Sequence, residues 1–213
     1  MRKLLVIDLD GTLADTRADL ANAVNFMRAK FSLTPLAQDF IISKVGDGIS
    51  ALIARTTPEV ENQSLAVRKM KEYYSRHLLD ETALYPGAKD TLVALKSRGV
   101  TVALFSNKPQ SACREILSGL GVAELFDFIL GGEADFPLKP DPAALNYLQQ
   151  TTRISLENCF MFGDNHTDLA AARRADFRSI FAAFGFGKKA TEAADFTVDS
   201  FDKILPIVGG DGQ

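Results

Sequence analysis

Five short apolar runs punctuate the chain: LLVID (4–8), VTVALFS (100–106), FDFILG (126–131), CFMFGD (159–164) and SIFAAF (179–184). They are continuous rather than alternating, the pattern of strands covered on both faces in a parallel sheet. Between them, apolar positions recur at helical spacing. In GAKDTLVALKSRG, Ala88, Leu92 and Leu95 form one stripe, and Gly99 supplies a stop signal. In KPQSACREILSGLG a helix is expected to open with Pro109 at its first position and close on Gly119. DPAALNYLQQT starts another, with Asp141 as cap and Pro142 just inside. Strands alternating with helices predict a doubly wound, Rossmann-like α/β core.

The alternation fails between Asp15 and Leu84, where only helical patterns occur. Leu20, Ala23, Val24, Met27 and Phe31 share one face. QDFIISK and ISALIAR follow, split by VGDG, and a further helix is expected to begin with Thr57 as cap and Pro58 at its first position. Pro86-Gly87 marks the return to the sheet. The expected organisation is a parallel-sheet core from residues 1–14 and 85–213, with a helical domain inserted at 15–84. The terminal GGDGQ reads as a disordered tail.

Composition removes several classes of function. At 213 residues and 46% hydrophobic content, the chain can bury one large core or two modest ones. A formal net charge of −3 offers no basic face for nucleic acid. No apolar run reaches the length of a membrane span, and the N-terminus leads directly into a strand without a signal-peptide pattern. The expectation is a cytoplasmic enzyme or binding protein with neither nucleic-acid nor membrane partners. Cys113 and Cys159 sit in apolar stretches and read as small buried hydrophobes, a disulfide being the alternative.

Charge at the end of a buried strand is costly, yet the first strand ends on Asp8 and Asp10. Three other strand ends or following loops carry similar groups: Ser106-Asn107-Lys108, Lys139-Pro140-Asp141, and GDNHTD with Asp164 and Asp168. Ligands of an open parallel sheet bind at the carboxyl ends of its strands, so these groups should converge on one crevice. Carboxylates without a His/Cys cluster suit a hard cation such as Mg²⁺. A lysine, hydroxyls and loop amides suit a phosphoryl group. One carboxylate can attack phosphorus, and a second, two residues on, can protonate the leaving group and later deprotonate water.

In chain order, DLDGT, SNK, KPD and GDNHTD resemble the four motifs of the haloacid dehalogenase-like hydrolases. The flanks DLDGTLADTRADLANAVN, YPGAKDTLVALKSRG, LKPDPAAL and FGDNHTDLAAARRA are similar to the phosphoglycolate phosphatase-like branch, and the likeness runs to about Ile207. The resemblance implies Asp8 as nucleophile and Asp10 as general acid/base. It implies Gly11, Thr12, Ser106 and Asn107 around the phosphate, with Lys139 neutralising charge there and on Asp8. Mg²⁺ would rest on Asp8, the Asp10 main-chain carbonyl and Asp164, supported from behind by Asp168. The insertion would be a cap that closes over the site and chooses the substrate.

Relatives that cleave carbon–halogen or carbon–phosphorus bonds keep no acid two residues after the nucleophile, so Asp10 implies a phosphate ester or anhydride. The implied activity is a Mg²⁺-dependent phosphatase acting on a small phosphorylated metabolite, phosphoglycolate-like or a sugar phosphate, through an aspartyl-phosphate. A phosphomutase of the same fold and a phospho-accepting signalling module are the alternatives, and oligomeric state is left open.

Some positions depart from the branch's usual pattern. Asn165 stands where serine is common, and Asp176 where a glycine often ends the helix, a left-handed position aspartate can adopt. Asp47, in the VGDG loop, is expected to face the leaving group and to disfavour acidic ones. Arg17 and Arg55 read as solvated arginines within possible reach of an anionic substrate. Lys44, His77 and His166 read as surface groups, and GFGKK (185–189) as a loop beside the site. Asp168 fits equally well as a first-turn acid against the helix dipole.

Overall fold

The computed structural model describes residues 2–132 and 136–210. The elements run β1 (Leu4–Ile7), β2 (Ala14–Asp15), α1 (Arg17–Lys30), α2 (Gln38–Ile42), α3 (Ile49–Thr56), α4 (Gln63–Tyr74) and β3 (Ala83–Leu84). They continue α5 (Ala88–Ser97), β4 (Thr101–Pro109), α6 (Gln110–Gly119), β5 (Phe128–Gly132), α7 (Ala143–Thr152), β6 (Cys159–Gly163), α8 (His166–Arg174), β7 (Arg178–Ala182), β8 (Phe196–Val198) and α9 (Ile204–Gly209).

Six strands form one sheet in the order β5-β4-β1-β6-β7-β8, every pairing parallel. β1 lies inside it, and Leu4, Leu5, Val6 and Ile7 are all wholly buried. Successive side chains of a strand point to opposite faces. Leu5, Ile7, Val102, Leu104, Phe160 and Phe162 accordingly meet α5, α6 and α9 on one side. Leu4, Val6, Ala103, Phe105 and Met161 meet α7 and α8 on the other. Helices on both faces explain why these strands lack polar alternation. The result is the doubly wound core expected of the sequence. β8 was not expected, because a run of three residues with an exposed middle threonine carries almost no periodic signal.

All the helices between β2 and β3 form an insertion whose ends meet. Ala14 pairs with Leu84 and Asp15 with Ala83 in a two-stranded antiparallel ribbon. Buried Asp19 strengthens this base by accepting from the amides of Glu81 (3.1 Å) and Thr82 (2.9 Å) and from the Thr82 hydroxyl (2.7 Å). α1 packs along α4 and α3 against it, and Leu20, Val24, Met27, Ile53, Ala66 and Met70 bury their side chains among the inserted helices.

Several helix boundaries differ from expectation for local reasons. Thr57 does not open α4. Its hydroxyl and amide both donate back to the Ile53 carbonyl (2.7 and 2.8 Å), closing α3 instead. α4 starts six residues later, with the Asn62 side chain accepting from the Leu65 amide at 3.0 Å. Pro109 ends β4 and precedes α6 rather than beginning it. Asp141 accepts from the Ala143 amide at 2.9 Å, so α7 begins after Pro142. Gly209 ends α9 and the Gly210 carbonyl accepts from Lys3, so these two do not belong to a disordered tail. The rest of that tail, Asp211–Gln213, lies outside the described residues. Asp176 adopts φ 56°, the left-handed conformation expected of it, and both cysteines are free and buried.

Candidate active site

The carboxyl ends of β1, β4 and β6, with the loop before α7, bring the sequence-marked polar groups together. Asp8 still belongs to the sheet through its amide, which donates to the Phe162 carbonyl at 2.9 Å. The chain then turns sharply, the amides of Thr12, Leu13 and Ala14 all pointing at the Leu9 carbonyl. Gly11 makes the turn at φ +84°, and a Cβ there would stand 2.0 Å from Asp164 Oδ2. Only glycine lets β1's loop approach β6's carboxylate so closely.

Carboxylate oxygens of Asp8, Asp164 and Asp168 lie within 4.8 Å of one another, all buried. Lys139 holds the group together. Its Nζ stands 2.8 Å from Asp8 Oδ1 and 2.6 Å from Asp168 Oδ1, with 1% of the side chain exposed. Asp8 Oδ1 nonetheless receives no well-directed hydrogen bond, and the hydroxyl of Thr12, buried in the turn that follows β1, has no hydrogen-bond partner. Asp168 serves two expectations at once. One oxygen meets Lys139 and the other accepts from the Asn165 amide at 2.9 Å, forming a capping box at the start of α8. Asp164 Oδ2 accepts from the Gly187 amide at 2.6 Å, so the GFGKK loop is part of the site's wall.

The electrostatics follow from burial. Desolvation lifts the Asp8 carboxyl to about 6, opposed by Lys139 and reinforced by Asp168 and Asp10. Asp164 is raised well above the usual carboxylate range, first by burial and then by Asp8 and Asp168. Burial works against the Lys139 charge, but Asp168 and Asp8 outweigh it and its pKa is raised. This is a site short of positive charge.

On the insertion's side, Asp10 accepts from the Thr16 hydroxyl at 2.7 Å and pairs with Lys108 Nζ at 2.9 and 3.2 Å. The same ammonium donates to the Tyr74 hydroxyl of α4 at 2.7 Å. Lys108 stood among the marked strand-end residues without a role, and Tyr74 was missed. The signal for it is its spacing, one helical turn beyond Met70 on the buried stripe.

Asn107, expected at the phosphate, has its amide fully engaged. Nδ2 donates to the carbonyls of Gly46 (2.8 Å) and Lys139 (3.0 Å), and Oδ1 accepts from the Lys139 amide (2.7 Å). It ties the VGDG loop to the core. Ser106 is buried beside it, its hydroxyl 3.4 Å from the Lys108 amide.

A cavity of about 170 Å³ lies between these groups and the insertion, lined on one side by Asp8, Asp10, Ser106, Lys139 and Asp164. Val45, Gly46 and Gly48 line it too, but Asp47 does not. Its carboxylate turns instead to Arg55, 2.5 Å away, so the expectation that it faces the leaving group is corrected. Arg17 pairs with Asp15 at 2.6 Å and is also absent from the cavity wall. His166 is exposed, and His77 pairs with Asp80 at 2.7 Å on the surface.

This fold and site match a known class. The family model described as haloacid dehalogenase-like hydrolase covers residues 5–182. The phosphoglycolate phosphatase of Chromobacterium violaceum is 33% identical, the match covering 97% of this chain and 96% of that protein. That of Pasteurella multocida is 32% identical, over 97% of this chain and 98% of the other. The crystal structure of a predicted phosphoglycolate phosphatase from Haemophilus somnus 129PT superposes with a TM-score of 0.92 at 29% identity, covering 96% and 97% of the two chains. The chain belongs to the haloacid dehalogenase-like hydrolase family. Among the described residues no helix is long and apolar enough to cross a membrane.

Proposed function

We propose that this chain is a Mg²⁺-dependent phosphatase that hydrolyses a small phosphorylated metabolite, phosphoglycolate-like or a sugar phosphate, through an aspartyl-phosphate on Asp8. The observation that carries the reading is Asp8 itself. It is a buried carboxylate on the cavity wall, flanked by an ammonium group, with an oxygen left without a directed hydrogen bond. Similarity to phosphoglycolate phosphatases along nearly the whole chain supports the substrate class.

The donors fit a hard divalent cation, since they are oxygens, mutually close and buried, and since burial first and neighbouring carboxylates second raise Asp8 and Asp164. Asp8, Asp164 and the Asp10 main-chain carbonyl would hold it, with Asp168 and Lys139 behind. Bound there, it supplies positive charge to the phosphoryl oxygens.

The chain's own groups carry the remaining steps. Asp8 forms a bond to phosphorus as the bond to the leaving oxygen breaks, and Asp10 gives that oxygen a proton. Asp10 then takes a proton from water as the water attacks phosphorus, which frees inorganic phosphate and returns Asp8 to a carboxylate. The unpartnered Thr12 hydroxyl and Ser106 face the phosphoryl oxygens, and Lys139 balances their charge. Residues 1–14 and 85–213 form the catalytic core, and 15–84 the cap that excludes water when closed.

The test is phosphate release from 2-phosphoglycolate and from sugar phosphates, with Mg²⁺ and with excess chelator. Many turnovers per chain with Mg²⁺ and none under chelation support the proposal. A single phosphoryl group retained per chain, or undiminished activity in chelator, refutes it.

A further inference from the structure

The cavity wall facing the carboxylates is built from Leu20, Ile49, Leu52, Met70, Leu78 and Ala112, and it is apolar. Lys108 interrupts it. The side chain is 3% exposed, and an ammonium in such surroundings is costly unless it has partners. Two groups meet it, the Asp10 carboxylate through both oxygens (2.9 and 3.2 Å) and the Tyr74 hydroxyl (2.7 Å), so an incoming anion would take over the longer of the two Asp10 contacts.

The backbone is arranged to place it there. The pairing of β4 with β5 shifts register between Phe105 and Pro109, and such irregularities re-aim side chains beside binding sites. Tyr74 comes from α4 of the insertion, so the pair joins the two sides of the cavity. The other nearby charges do not oppose an anion at this point. Asp47 is turned to Arg55, and of the other charged groups on the lining, Glu115 is solvent-exposed while α4 adds Lys71, with Ser75 beside it.

Resting on the phosphatase reading, we infer that Lys108 and Tyr74 are the leaving-group recognition site and select a short leaving group that carries a carboxylate. The reach is set by Asp10. Lys108 Nζ touches the carboxylate placed to protonate the leaving oxygen, so an anion that meets Lys108 lies only a short carbon spacer from that oxygen. Leu52, Met70 and Leu78 cover the carbons. A longer polyhydroxylated leaving group would press its hydroxyls against the same side chains without hydrogen-bond partners, which disfavours it. The selected ester is that of a two- or three-carbon hydroxy acid.

The test compares kcat/KM for 2-phosphoglycolate with that for 2-hydroxyethyl phosphate, which replaces the carboxylate by an uncharged alcohol. The wild type should prefer the former, and Lys108→Gln should reduce that preference roughly 10- to 100-fold, the loss of one charge-assisted contact. Both rates fall when Asp10 loses its partner, so the ratio is the readout. Lys108→Arg, which keeps the charge, should retain much of the preference. Tyr74→Phe should lower it by a smaller factor, and it decides the matter if Lys108→Gln does not fold. Equal losses on both esters, or a wild type that prefers the alcohol, overturn the assignment and leave the phosphatase reading standing. A wild type that releases phosphate from a sugar phosphate but from neither ester overturns the assignment alone, and one that releases it from none of the three overturns both.

Discussion

Replacing Lys139 by methionine keeps the length of the side chain and removes the cation between Asp8 and Asp168, 2.8 and 2.6 Å from its Nζ. Both contacts are buried, so water cannot take over the charge. Breaking a buried pair of this kind costs about 3–5 kcal/mol. For a chain of this size each kcal/mol moves Tm by roughly 2–4 °C, so the metal-free variant should melt about 6–20 °C lower.

The loss should also depend on pH. Asp8 already holds its proton more tightly folded than unfolded, at about 6 against 3.8. Without the lysine it holds it more tightly still. A carboxyl raised on folding stabilises the fold while protonated, and that contribution is lost as pH rises from the unfolded value through the folded one. The gap between variant and wild type should therefore widen from about pH 5 to about pH 8. Thermal unfolding followed by circular dichroism, in chelator at both pH values, measures it. A drop under about 2 °C at both, or a gap that narrows with pH, refutes the electrostatic account of the site.

Three further outcomes are expected. Saturating Mg²⁺ at about 100 times its Kd should stabilise the wild type by about 2.7 kcal/mol, or roughly 5–10 °C in Tm, and Asp164→Asn should lose most of that shift; an unchanged shift in the variant removes Asp164 from the ligand set. Asp19→Ala should destabilise by about 1–3 kcal/mol in urea unfolding, because it leaves the amides of Glu81 and Thr82 without their buried acceptor; an unaltered midpoint would show that the insertion's base is held by other contacts. Asp47→Asn should leave the ratio of kcat/KM for 2-phosphoglycolate over 2-hydroxyethyl phosphate unchanged, since its carboxylate faces Arg55 rather than the cavity; a shifted ratio places it at the leaving group after all.

The parts of this molecule that were legible in the sequence are those where one physical requirement dominates. Strands buried on both faces demand continuous apolar runs, and β1, β4, β5, β6 and β7 all announce themselves that way. Carboxylates at such strand ends conflict with burial, so Asp8 and Asp164 stood out. Features that depend on competition between local partners were not legible. Thr57 looks like a helix opener but spends its hydroxyl on Ile53. Asn107 lines the cavity as a strand-end polar residue should, but that Gly46 and Lys139 also bond its side-chain amide is not visible in the sequence. Asp47 precedes α3 and Arg55 lies in its last turn, eight residues on, and only their rotamers reveal that they pair. The Lys108–Tyr74 contact joins residues 34 apart on separate elements, so no local pattern could show it.

The central claim is that Asp8 becomes phosphorylated during turnover. An acyl phosphate is reduced by borohydride, so rapid quenching of the Mg²⁺-loaded enzyme with 2-phosphoglycolate into borohydride, followed by peptide mass spectrometry, reads the modified position directly. Homoserine is expected at position 8, dependent on both substrate and Mg²⁺, and none in Asp8→Asn, which should also release no phosphate above the chelated background. Reduction at another carboxylate, or multiple-turnover phosphate release by deamidation-free Asp8→Asn, would contradict it.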